Sequence, residues 1–126
     1  MPLDKVQFKF INHLEPLLLR KSNVHDAIVT IPKEIPSGGK ETTLQYGLPA
    51  EKRSSVEVFY EPQGSSHGNS CVLSVLCAQN VVSPTTAAHF SVSAVSACPH
   101  IRIKATPTAS GNQLTVTVSF AAVPQV

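Results

Sequence analysis

The hydrophobic positions of this chain recur with a period of two, which predicts strands rather than helices. Val6, Phe8 and Phe10 alternate with Gln7 and Lys9. Val56, Val58 and Tyr60 alternate with Glu57 and Phe59, and Phe90, Val92 and Ala94 with Ser91 and Ser93. Ile101 and Ile103 flank Arg102. The cleanest case comes last, with Leu114, Val116, Val118 and Phe120 on one face and Thr115, Thr117 and Ser119 on the other. Cys71 to Ala78 is apolar on both faces, which predicts a central strand covered on both sides. Ala27 to Ile31 and Thr42 to Leu48 complete a set of about eight short strands. At most one short helix fits, from Glu15 to Lys21, because Pro16 is tolerated only in a first turn.

Turn signals separate these segments: Ile35-Pro36-Ser37-Gly38-Gly39, Pro62 to Asn69, Ser83-Pro84, Cys98-Pro99 and Ala109 to Asn112. Ten prolines and six glycines punctuating short strands describe an all-β domain, a sandwich, jelly roll or small barrel. The expectation is one β-sandwich, jelly-roll-like, over residues 1–126. A chain of 126 residues fits one domain and can bury one ordinary core. No apolar run approaches the roughly 20 residues of a membrane-spanning helix. The first residues lack the pattern of a signal peptide, so the expected setting is the cytosol, a virion, or a mature fragment that has lost its leader.

Charge changes the picture most. All eight acidic residues lie in the first 61 positions, and beyond Glu61 the only charged side chains are Arg102 and Lys104. A typical stretch of that length would hold roughly 16 charges. Ser, Thr, Asn and Gln fill the polar positions instead. Charges on faces and edges keep sheets from pairing with one another, so the second half lacks the ordinary protection. That predicts an assembly surface, and Thr115, Thr117 and Ser119 on the last strand are its candidate residues. Lys5, Lys9, Arg102 and Lys104 are candidates for weak contact with nucleic acid through phosphate. A net charge of +2 and the lack of a basic arm or stacking platform set a low ceiling on it.

Candidate chemistry is sparse. The odd number of cysteines argues against a closed disulfide framework. On one strand Cys71 and Cys77 would face the same way about 20 Å apart, beyond bonding distance. They are expected as small buried thiols, with pairing of one to Cys98 or to another subunit as the alternative. The five histidines show no metal-site spacing. Cys98-Pro99-His100 supplies two ligands where zinc needs three or four. A Cys71–His67 nucleophilic pair lacks a nearby carboxylate, with Asn69 the only amide in its loop, and Ser65-Ser66 lack a nucleophile elbow. His25 and Asp26, as strand neighbours, would point apart. Pro36-Ser37-Gly38-Gly39-Lys40 lacks phosphate-loop spacing. No catalytic residue, metal, cofactor or small-molecule substrate is identified.

The closing segment, Asn112-Gln113-Leu114-Thr115-Val116-Thr117-Val118-Ser119-Phe120-Ala121-Ala122-Val123-Pro124, resembles the last strand of jelly-roll coat proteins from small RNA viruses. The short neutral Ser/Thr-rich strands are similar too. The chain is shorter than most such proteins and has no polybasic arm. The resemblance implies a non-enzymatic structural protein that assembles as a homo-oligomer, as a capsid or virion component. The alternative is a monomeric β-sandwich binding module that recognises a peptide, protein or glycan through Gly64 to Asn69 and Pro36 to Lys40.

Overall fold

The structure is a computed structural model, and it describes residues 2–64, 71–82 and 86–124. Two sheets pack face to face as a β-sandwich, as expected. The strands are β1 (Lys5–Asn12), β2 (Leu17–His25), β3 (Glu34–Ile35), β4 (Glu41–Gly47), β5 (Ser55–Pro62), β6 (Leu73–Gln79), β7 (Phe90–Ser96), β8 (Ile101–Ser110) and β9 (Gln113–Ala122). A 3₁₀ turn, Ala87–His89, precedes β7. One sheet has the order β4-β1-β9-β8 and the other β3-β2-β5-β6-β7. All pairings are antiparallel except β1 with β9, which run parallel in register, Lys9 opposite Thr117.

Period-two alternation becomes burial directly. Val6, Phe8 and Phe10 of β1 and Leu114, Val116, Val118 and Phe120 of β9 are fully buried. They meet Val56, Val58 and Tyr60 of β5 and Leu73, Val75 and Cys77 of β6. Phe10 sits among the aromatic rings, 5.7 Å from Phe8, 5.8 Å from Tyr60 and 6.3 Å from Phe120, centroid to centroid.

Three expectations need correction. The segment Glu15 to Lys21 is not a helix; it opens strand β2. Leu17 enters the core opposite Pro62 of β5, and the ladder to β5 decides the conformation. A bulge between Leu19 and Lys21 accommodates Arg20 as an extra residue and turns Lys21 to the outer face. The segment Ala27 to Ile31 belongs to no sheet. Asp26 adopts a left-handed φ of 51° and turns the chain off the end of β2. Ala27, Val29 and Ile31 still pack against the core, while Ile28 is 98% exposed. Strand β6 is covered on one face only: Leu73, Val75, Cys77 and Gln79 are buried, and Ser74, Leu76 and Ala78 lie half-buried on the outside.

The cysteines follow the alternative expectation, pairing with Cys98, rather than the favoured one of buried thiols throughout. Cys71 and Cys98 form a disulfide, with Cα atoms 5.1 Å apart, and Cys77 remains a buried thiol. Cys71 lies ahead of β6 rather than on it, so the shared-face argument for Cys71 and Cys77 does not apply to it. The bond ties the approach to β6 to the corner between β7 and β8. Ser96 holds that corner as well, its hydroxyl donating to the carbonyls of Cys98 and Ile101.

Candidate functional site

Every candidate surface residue falls on one face. In the parallel register, Lys5, Gln7, Lys9 and Ile11 of β1 lie beside Gln113, Thr115, Thr117 and Ser119 of β9. Across β9, Thr117 faces Thr106, Ser119 faces Lys104 and Ala121 faces Arg102. On the other flank Lys9 lies opposite Thr43, and Ile11 opposite Glu41. The inward partners in these registers are the core residues, so this set forms the outer face of the four-stranded sheet. The candidate assembly residues and the candidate phosphate-contact residues are thus interleaved. The face of β9 is neutral, but it lies between cations.

The lower part of this face is held by its own hydrogen bonds. Gln113 donates to Gln7 (2.9 Å) and to Thr115 (3.0 Å), and Asn112 donates to Asp4 (2.9 Å). In the upper part Lys9, Thr117, Ser119 and Lys104 have no side-chain bond among the described residues. Glu41 is the one acidic side chain on the strands of this face.

The second sheet presents a different surface. Its outer face over β6 and β7 carries Ser74, Leu76, Ala78, Ser91, Ser93 and Val95, with no charge, and Val95 is 59% exposed. On the β2 side, Lys21 lies over the Phe59 ring at 5.3 Å, and Asn23 donates to Glu57. Strand β7 is also the sheet edge. The three other edges are blunted. Strand β8 carries Arg102, Lys104 and Pro107, β4 opens on Glu41, and β3 is two residues long. Strand β7, Phe-Ser-Val-Ser-Ala-Val-Ser, has no such device.

The remaining candidates separate. Cys98 is in a disulfide, so Cys98-Pro99-His100 offers no thiolate ligand, and Cys71 is blocked as a nucleophile in the same way. His67, Ser65, Ser66 and Asn69, and with them most of the Gly64 to Asn69 loop, lie outside the described residues. Asp26 pairs with Lys52 at 3.8 Å, and His25 ends β2. In the Pro36 to Lys40 turn Gly38 and Gly39 have φ values of 101° and 77°, and Gly39 N–H donates to the Asn12 carbonyl. No group of three or more metal-ligating side chains gathers among the described residues. At one end of the sandwich an open cleft of about 540 Å³ is lined by Asp26, Ile28, Leu48, Pro49 and Lys52.

Two features escaped the sequence. Asn12, at the end of β1, is fully buried. It donates to the carbonyls of Glu15 and Ile35 and accepts from Leu14 N–H, which fixes the turn into β2. Asn12 breaks the alternation of β1 at a core-facing position, and that was its only signal. The second is the pair Tyr46 and Cys77. Tyr46 Oη is buried without a hydrogen-bond partner among the described residues, and the Cys77 thiol adds to the upward push that burial puts on its pKa. Burial raises the tyrosine's pKa far above its ordinary value and pushes the thiol from near 9 up to about 11. Both groups stay protonated and inert at neutral pH. No protein-family model matches the sequence, and no curated protein matches it either.

Proposed function

We propose that the chain is a non-enzymatic structural domain that associates with copies of itself through strand β7 and the neutral outer face beside it. The supporting observation is the contrast among edges. Strand β7 alone combines full strand length with an uncharged sequence and an exposed apolar side chain, Val95. An open edge presents unpaired N–H and C=O groups that another strand can satisfy. Antiparallel pairing of β7 with itself about Ser93 brings only small side chains and no like charges together at its centre. In its sharper form this is a coat or other virion protein, where this two-fold contact joins further contacts to close a shell.

The test is molar mass in solution by light scattering. The wild-type chain is expected well above its 13.4 kDa monomer mass, rising with concentration. Ser93→Lys or Val95→Lys should return it to monomer, and Thr43→Lys on the β4 edge should not. A wild-type monomer at every concentration would overturn the reading. It would favour the second one, a monomeric module that binds a ligand at the open end cleft, where the exposed Ile28 and the Asp26–Lys52 pair offer apolar and polar contacts together.

A further inference from the structure

The cations on the four-stranded sheet are arranged as a line. Ordered along the strand axis they run Lys5, Lys9, Lys104 and Arg102. Lys5 and Lys9 are four residues apart on β1, about 14 Å. Lys104 lies two strands over and one register row further, about 12 Å from Lys9. Arg102 follows about 7 Å beyond it on the same strand. None of them has an ion pair among the described residues. The hydroxyls of Thr117 and Ser119 lie on β9 between Lys9 and Lys104. A small anion would use a cluster, whereas this is a diagonal stripe across the face, with Glu41 to one side of it.

We propose that this face binds a linear sulfated polysaccharide. The stripe complements a chain of regularly placed negative charges, and the Thr, Ser and Gln side chains between the cations can bond sugar hydroxyls. Nucleic acid fits less well. Binding of single strands without sequence preference combines cations with aromatic side chains for base stacking. Every aromatic residue of the chain is elsewhere: Phe8, Phe10, Tyr46, Tyr60 and Phe120 are in the core, and Phe59 and Phe90 are on the five-stranded sheet. The Cys71–Cys98 disulfide also fits the oxidising spaces outside the cytosol, where sulfated glycans occur. The site is independent of β7, so it stands or falls apart from the self-association.

The test measures binding of the whole chain to heparin, to the same glycan after desulfation, and to a single-stranded polyuridylate, over a range of salt. Sulfated glycan is expected to bind, with affinity falling steeply as salt rises, and the other two at least tenfold more weakly. The double variant Lys9→Gln/Lys104→Gln should lose tenfold or more in affinity with an unchanged melting temperature. Lys33→Gln/Arg53→Gln removes the same charge elsewhere and should lose less than threefold. Equal losses in the two double variants would overturn the proposal, as would no binding to heparin. Polyuridylate binding as tight as heparin binding would overturn it in favour of a nucleic-acid surface.

Discussion

At the residue scale, a few polar side chains fix geometry that apolar packing leaves open. Asn12 is the clearest. It is fully buried and makes three hydrogen bonds, two given and one received, at the corner where the chain leaves one sheet for the other. Asn12→Ala would orphan the Ile35 carbonyl and the Leu14 amide and should cost about 2–3 kcal/mol, read by chemical denaturation. Cys77 gives a pH prediction. Its folded-state pKa, near 11, lies above the ordinary value near 9. Its contribution is therefore complete below pH 9 and lost as pH rises toward 11, on the order of 2 kcal/mol. Buried Tyr46 and Tyr60, both shifted upward by burial, steepen the loss at still higher pH. Alkaline denaturation midpoints should fall across that window, with a shallower slope in Cys77→Ala. The thiol should also resist alkylation at pH 8 until the protein unfolds.

At the scale of elements, alternation was legible where the outward positions are polar, and it was hidden in β6, whose outward Leu76 and Ala78 are apolar. Strands β1, β5, β7, β8 and β9 stand where period two placed them, and β4 within a residue. The other failures share a cause, since pairing is a long-range property. Leu17 to Lys21 has a local sequence compatible with a helix, and only the ladder to β5 makes it a strand. Ala27 to Ile31 has strand-forming residues but no neighbour to pair with. The sequence offered a pairing with Cys98 only as an alternative and without choosing its partner, because Cys71 and Cys98 meet only when β6 and the β7–β8 corner are folded together. The bridge spans 27 residues. By loop-closure entropy it should contribute about 3.5 kcal/mol, so Cys98→Ser is expected to lower the denaturation midpoint sharply while Cys77→Ala has a milder effect.

At the scale of the whole molecule, the uneven charge along the chain becomes two unlike surfaces. The candidate residues were visible in the sequence, but their grouping was not. Thr115, Thr117 and Ser119 looked like a neutral patch until the register set them between Lys9 and Lys104. The truly neutral surface is instead on β6 and β7, in the other sheet. Only the strand order reveals that β7 is an edge while the equally uncharged β6 and β9 are interior. On the proposed function, copies of the chain meet at this edge. Hydrogen exchange of the β7 amides that point away from β6 tests it most directly, comparing dilute with concentrated protein. These amides are expected to slow markedly on concentration while those of edge strands β4 and β8 do not change. Equal exchange of the β7 amides at both concentrations would contradict it.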